Sequence, residues 1–424
     1  MMSWQVWAAC GLFILVYAVI ISEKVHRTII SLLAASVLLL LGIVSQTEAI
    51  DFIDFNTIGL LAGMMIIVGI ARKSGIFEYL AIKAARSTKG EPMRLLLALA
   101  AVTAVTSALL DNVTTVLLIV PVTLSICRTL DVNPVPFFVA EIMASNIGGT
   151  ATLIGDPPNI MIGSAAQLGF LDFVVNLAPV VAVVFMVTIF LLRLIYRRDL
   201  VASEEKKARI RKLVPREAIK DWGLLKKSLL VIGIVILGFV LHQNLHLESA
   251  TIALFGASLL LFISREHPAE ILLSVEWETL FFFIGLFVLV GGLVKVGIIE
   301  DLARATVALT HGSQTATTLA ILWFSAVASA FVDNIPFVAT FIPLIKEIGA
   351  LSHMAVMPLW WALSLGACLG GNGTIIGASA NVIVSGMAER EGHPISFLSY
   401  MKVAFPLMLI SIVIATIYLL LFYL

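Results

Sequence analysis

The sequence predicts an all-α integral membrane protein, and three observations predict it. Of 424 residues, 60% are hydrophobic and 13% charged, with a mean hydropathy of +1.07; an average soluble domain is about half apolar and a quarter charged. Apolar runs near the roughly 20 residues that a bilayer-crossing helix needs recur from Trp4 to Leu424. The stretch 12–21 is continuously apolar and 410–423 is broken only by Ser411 and Thr416, whereas a membrane-spanning barrel alternates polarity in segments of ~10 residues. The formal net charge of zero gives no reason to expect a nucleic-acid partner.

Hydropathy places ten spans, at 4–22, 28–46, 57–71, 136–168 (interrupted), 173–195, 228–244, 250–264, 279–294, 356–389 (interrupted) and 403–423. The first lacks the basic n-region and small-residue cleavage site of a signal peptide and reads as a retained span. Residues 95–110 and 113–127 are each short for a crossing, with Asp111-Asn112 between them. A re-entrant hairpin fits them better than two short tilted helices with an exposed turn. Residues 316–349 repeat the pattern, with Asp333-Asn334 at the tip and Pro336 after it. Cys10, Cys127 and Cys368 are too few and too scattered for a disulfide framework or a metal site, and read as small packing residues.

Charge supplies the orientation. With the N-terminus outside, 24 of the 27 Lys and Arg fall on one side and only Lys295, Arg304 and Lys346 on the other; the rich side is assigned to the cytoplasm. The loop after the second span is acidic, with Glu48, Asp51 and Asp54. Both termini are then expected outside, in an inner or plasma membrane.

The chain repeats itself at an offset of 222. Thr57, Gly63, Gly69, Lys73, Gly75, Glu78 and Ala81 recur as Thr279, Gly285, Gly291, Lys295, Gly297, Glu300 and Ala303. Ser107, Asp111, Asn112 and Pro121 recur as Ser329, Asp333, Asn334 and Pro343, and Gly148, Gly149, Thr152, Gly155 and Asn159 as Gly370, Gly371, Thr374, Gly377 and Asn381. Each half has an odd number of crossings, so the five-helix repeats, 1–196 and 228–424, are expected to be inverted, joined by a basic cytoplasmic linker at 197–227. That linker reads as a solvated or membrane-surface helix. Inverted repeats are a recurring design of secondary transporters.

Two constellations carry the chemistry. The tips, Asp111-Asn112 with Thr114 and Asp333-Asn334, would be brought towards each other by the inverted halves. The broken helices run from Asn146 through Gly148, Gly149, Thr152 and Asp156 to Asn159, and from Gly370 through Gly371, Thr374 and Ser379 to Asn381. Paired glycines are expected to unwind the helix, releasing backbone groups tolerated at membrane depth only where they line a cavity or site. Hydroxyls and amides add uncharged ligands; the alternative for either loop alone is a kink whose polar residues satisfy their own backbone. Oxygen-rich segments suit a hard cation, and half-helix N-termini an anionic group. Na+ is expected at Asp111, Asn112, Asp156, Asp333 and Asn334. Ionisable residues in spans default to functional hypotheses: Asp111, Glu141, Asp156 and Asp333 qualify, and no Lys or Arg lies in the tips or broken loops. Glu141 either pairs with Arg128, lines a vestibule or takes a direct role. Asp156, whose repeat partner is Ala378, either exchanges a proton against Na+ or caps the following half-helix.

At these motifs the chain resembles the ion transporter superfamily of arsenite permeases, NhaD-type sodium/proton antiporters, citrate and dicarboxylate carriers and the melanosomal P protein. Residues 108–115 (ALLDNVTT) and 146–159 (NIGGTATLIGDPPN) resemble the signatures of its P-protein-like permease branch nearly residue for residue, and the similarity covers essentially the whole chain. The resemblance implies an elevator mechanism and a homodimer, with a scaffold from 4–72 and 228–295 and a transport part from 92–195 and 313–424. Dicarboxylate carriers have Ser-Asn-Thr where this chain has Asp111-Asn112-Val113 and Asp333-Asn334-Ile335, which argues against dicarboxylate specificity. Arsenite permeases have an Asn-Asp order in the first tip, and only Cys368 lies near the centre, so a three-thiolate arsenite site is excluded.

The expected function is secondary active transport, coupling Na+ or H+ to movement of a small anionic or oxyanionic solute, with no other cofactor. A Na+/H+ antiporter and an anion channel are the alternatives. No HExxH, nucleophile–base pair or phosphate-binding loop is evident, so an enzyme is not expected. The lipid bilayer and a small ion or solute are the expected partners.

Overall fold

The computed structural model describes residues 4–22, 24–198 and 200–424, which are helical with no strand among them. The first half opens with α1 (Trp4–Ser22) and α2 (Arg27–Leu40). α2 stops short of the expected 46 because Gly42 takes a φ of +67°, a left-handed turn that glycine adopts freely. A short α3 (Gln46–Phe52) follows, begun by a capping box in which Ser45 Oγ accepts from Glu48 N and the Glu48 carboxylate from Ser45 N. α4 (Phe55–Lys73) is capped by Asp54, which accepts from the N–H groups of Asn56 and Thr57.

α5 (Ile76–Ser87), which none of the expected spans includes, buries Phe77, Ala81, Ala84 and Ala85 and exposes Lys83 and Arg86. The first hairpin is α6 (Pro92–Leu109) and α7 (Asn112–Leu130), with arms of 18 and 19 residues. They exceed the expected lengths because Pro92 opens α6 in its first turn, where its missing N–H costs nothing, and Asp111 caps α7. The broken helix is α8 (Val135–Thr150) and α9 (Pro157–Ala166), and α10 (Phe170–Tyr196) closes the half.

The linker holds α11 (Glu204–Arg211). Lys207 reaches Glu91 at 2.8 Å and Lys206 reaches Asp131 at 2.5 Å, docking it beside the first hairpin. The second half is α12 (Trp222–Leu245), α13 (Ser249–Ser264), α14 (Pro268–Leu272), α15 (Trp277–Lys295), α16 (Ile298–Leu309), α17 (Gln314–Phe331), α18 (Asn334–Ser352), α19 (Val356–Gly370), α20 (Ser379–Arg390) and α21 (Phe397–Phe422). α12 begins at Trp222 rather than 228, because Asp221 caps Gly223 and Leu224.

α15, α16, α17 and α18 begin and end 222 residues after α4, α5, α6 and α7. Among the described residues ten helices are long and apolar enough to cross a membrane: α1, α4, α6, α7, α10, α12, α15, α17, α18 and α21. All four hairpin arms are in this set, while α2, α13 and α19 are shorter apolar helices.

The halves interleave: α4 packs on α13 and α15 on α2. A Cβ on Gly63 would lie 2.6 Å from the Ala253 backbone, and one on Gly285 2.6 Å from that of Ser31. Ser31 and Ala253 are themselves one repeat apart, so the same close crossing occurs twice. Where lipid removes the hydrophobic drive between helices, such small-residue approach supplies packing. Around the breaks a second set forms, with α6 on α8, α17 on α19, α8 on α19 and α20 on both α7 and α8.

Candidate ion and solute site

The two tips and the two breaks meet in one buried polar network. Asp111 accepts from Thr114 N at 2.7 Å and from Thr114 Oγ1 at 2.5 Å. Asn112 Nδ2 donates to Asn146 Oδ1 at 3.1 Å, and Asn146 Nδ2 to Asn372 Oδ1 at 3.0 Å and Asn381 Oδ1 at 2.9 Å. The first tip is thus bonded, through one asparagine, to the broken helix of the other half. On the opposite side, Asn334 Nδ2 lies 3.4 and 3.3 Å from the Asp156 carboxylate oxygens. Cys368 hydrogen-bonds to Asp156 and lies 3.6 Å from Asn159 Oδ1, which also accepts from Ser364 at 2.6 Å.

One of these contacts is a crossing made twice with different side chains: Asn146 to Asn381 and Cys368 to Asn159, where Asn146 and Cys368 are repeat partners, as are Asn381 and Asn159. The contact is amide to amide on one side and thiol to amide on the other. Cys368, expected to be packing, is therefore part of the network.

The break itself differs from expectation. Gly148 and Gly149 lie inside α8, and the non-helical segment is 151–156. In the second half Gly370 ends α19 and Gly371 follows it. Their glycines serve close approach: a Cβ on Gly370 would be 2.5 Å from the Ala326 carbonyl oxygen, and one on Gly148 would collide with that of Ala104. The freed carbonyls find side chains. Thr152 donates to Ala108 O at 2.5 Å and Thr374 to Ala330 O. Asn159 Nδ2 donates to the carbonyls of Thr150 and Thr152, and Asn381 Nδ2 to those of Gly371 and Thr374. Such pairing lets a helix break where water is absent.

The remaining acidic groups separate sharply. Asp156 stands at the N-cap of α9 without a side-chain capping bond, and its backbone neighbours Pro157 and Pro158 have no N–H to offer. Glu141 does not pair with Arg128, which binds Glu391; it accepts from Thr123 Oγ1 at 2.5 Å, and among the described residues neither its second oxygen nor the buried Asn372 Nδ2 has a partner.

The second tip does hold a cation, contrary to the sequence reading. Arg27 Nη1 lies 2.8 Å from Asp333 Oδ2 and 2.7 Å from Ser379 Oγ. Arg27 opens α2, 306 residues away in sequence, so no local motif announces the pair. Beside it a cavity of about 340 Å³ is lined by Ile20, Val25, His26, Arg27, Asp333 and Ser379 among others. Arg27, Cys368, Asn372, Ser364 and Ser145, whose Oγ donates to Asn112 O at 2.8 Å, are the site residues that sequence reasoning missed. Asn372 and Ser145 stood in or beside the broken-helix motifs and so had a signal; Arg27 had none.

Chemically, the network offers carboxylates, amide oxygens and carbonyls. Among the described residues no cluster of three or more His, Cys, Asp or Glu is arranged to hold a metal ion, so any cation here would draw on amide and backbone oxygens as well as carboxylates.

Comparison with known proteins places the chain among membrane transporters. The model of the citrate transporter family matches residues 17–366. An uncharacterized transporter of Mycobacterium bovis is 45% identical over 417 residues, 97% of each chain. The 46 kDa membrane protein of Mycobacterium leprae is 45% identical over 424 residues, 98% of each chain. The P protein of Homo sapiens is 36% identical over 503 residues, which cover 98% of this chain and 60% of the human protein. Among solved structures, the Alcanivorax borkumensis YdaH transporter superposes with a TM-score of 0.61 over 88% of this chain and 86% of its own, at 15% identity, a likeness of fold.

Proposed function

The chain belongs to the citrate transporter family and is a multi-pass membrane transporter, and from that premise we propose that it couples Na+ or H+ to movement of a small anionic or oxyanionic solute. The observation that carries this reading is the pair of carboxylates, Asp111 and Asp156, held at the meeting of tips and breaks with only hydroxyl, thiol, amide and backbone donors bonded to them. A carboxylate in a poorly solvated site attracts a cation strongly, since the Coulomb energy grows as the dielectric falls. The ligands proposed for the cation are Asp111, Asn112, Asp156, Asp333 and Asn334, with Asn146 and the half-helix termini nearest the solute. Thr114, Thr152, Asn159, Thr374 and Asn381 shape the site by holding its backbone.

Movement is proposed to follow an elevator scheme. The interleaved helices of 4–72 and 228–295 form the scaffold and a homodimer contact, and 92–195 with 313–424 carry the site across. The repeats are inverted, both termini face outside and the cavity at Arg27 faces the cytoplasm. The Na+/H+ antiporter remains the second reading, favoured by the lack, among the described residues, of a basic partner on Asp111 and Asp156.

Counterflow into proteoliposomes separates the two. A co-transporter shows cation flux only when solute is present, and a panel of carboxylates and oxyanions screened by thermal shift with and without Na+ finds that solute. An antiporter needs only Na+ and a pH gradient. In either case Asp111→Asn is expected to weaken the cation dependence by roughly tenfold or more while the protein stays folded, since an amide lacks the charge but keeps the volume. Wild-type cation dependence in this variant would exclude the first tip from the site.

A further inference from the structure

Asp111 and Asp333 hold the same place in the two repeats, yet their partners differ. Asp111 turns both oxygens onto Thr114 of its own helix. Asp333 keeps one oxygen on Ile335 N at 3.0 Å and gives the other to Arg27 at 2.8 Å and Ser379 at 2.8 Å. The same hairpin is held a second time from α1, where Tyr17 OH donates to Pro336 O at 2.5 Å and lies 2.8 Å from Thr340 Oγ1. One repeat later, Tyr17 becomes Phe239 and Arg27 becomes Ser249, so neither contact has a counterpart at the first hairpin. The asymmetry lies in two scaffold side chains that reach one transport hairpin.

We propose that Arg27 is a tethered cation: it occupies Asp333 in the state described above and is displaced when the coupling cation binds there. The inference rests on the reading of Asp333 as part of the cation site. A carboxylate with 12% of its side chain exposed cannot be left without a counter-charge cheaply, so Arg27 leaves only as another cation arrives. The guanidinium also has somewhere to stay, 4.9 Å above the Phe282 ring, beside a cavity through which ions reach it. Because Arg27 is on α2 and Asp333 on α18, the exchange does two things at once. Unloaded, the ion pair adds to the Tyr17 contact in tying scaffold to transport part; loaded, the ion pair is gone and the Tyr17 contact alone remains. A carrier so built binds its cation less tightly than its ligands allow, in return for a defined unloaded state.

The other ionisable groups facing the pair are His26 and Glu278, 3.5 Å apart, together with Glu276, Tyr17 and Asp156. Two titrations of the purified full-length protein therefore form the test: thermal stabilisation against NaCl with choline chloride at constant ionic strength, and against pH. Arg27→Gln should move the midpoint of the cation response roughly tenfold towards lower cation concentration, Na+ or H+, since removing a competitor tightens binding. Arg27→Lys, which keeps the charge without the planar fork, should move it the same way by less. Damage to the fold would not tighten binding, so the direction of the shift is diagnostic. Unchanged midpoints for Arg27→Gln in both titrations, with Asp333→Asn altering the response, would overturn the inference alone. If Arg27→Gln does not fold, unchanged midpoints for Arg27→Lys do the same. A wild-type response in Asp333→Asn would instead remove Asp333 from the cation site, and this inference with it.

Discussion

Three aspartates that look alike in the sequence are made unlike by their neighbours. Asp111 is turned onto its own helix, Asp333 is held by Arg27, and Asp156 faces Asn334 and Cys368. The motif around Asp156 was legible because its glycines, prolines and asparagine are local and repeated. Its role was not, because capping and proton exchange require the same residue type. The structure shows no capping bond from its side chain, which removes the simplest local explanation for a carboxylate there. Asp156→Asn keeps the shape and a hydrogen-bonding oxygen but cannot carry a proton. Transport by this variant, measured between about pH 5.5 and 8.5, is expected to lose its pH dependence with the protein folded and monodisperse. A retained pH profile would move proton exchange away from Asp156, with Glu141 as the next residue to replace.

Among the elements, the long apolar helices were legible within a few residues, since hydropathy and length decide them. α5 and α16 were missed because a short helix with one buried stripe and a charged face has no hydropathy peak. The glycine pairs were read as unwinding signals, whereas their backbones are needed for close approach within and beside helical turns. α11 was expected as a solvated or membrane-surface helix, and ion pairs dock it beside the first hairpin. Lys206 holds the Asp131 carboxylate below its ordinary range, and Lys207 and Arg211 do the same for Glu204, while Glu91 and Glu204 raise the Lys207 ammonium. Lowered carboxylates stabilise the docked helix above their ordinary pKa, and that contribution is lost as pH falls through the lowered values. The raised lysine contributes fully below its ordinary pKa and loses this as pH rises through the raised one. Docking is therefore strongest around neutrality. A spin label at the exposed Lys212 should gain mobility as pH falls towards about 3, and Lys207→Met should already be mobile at neutral pH. Equal mobility of the two proteins at neutral pH would show that packing, not charge, holds α11.

For the whole molecule, the 222-residue offset made two similar halves legible, but not that they interleave, because α4 meets α13 and α15 meets α2 across nearly 200 residues or more. The charge count supplies a test of orientation that the structure sharpens. Every ion pair between surface groups joins residues that the count puts on one side. Lys295 meets Glu48 and Arg304 meets Glu300 on the proposed outer face. Lys73 meets Glu266 and Glu270, Arg128 meets Glu391, and Lys206 and Lys207 meet Asp131 and Glu91 on the proposed inner face. A chain threaded with the wrong number of crossings in either half would scatter these partners across the bilayer. The repeats can be inverted only if 51 and 205 lie on opposite faces, and both residues there are exposed. Cys127 and Cys368 are buried, so replacing Cys10 alone leaves little background for thiol labelling. In that protein, Asp51→Cys should react with a membrane-impermeant maleimide from outside intact cells, and Glu205→Cys only after the membrane is opened. Labelling of both from one face would leave an even number of crossings between them, and neither the inverted repeats nor an elevator built on them would survive that result.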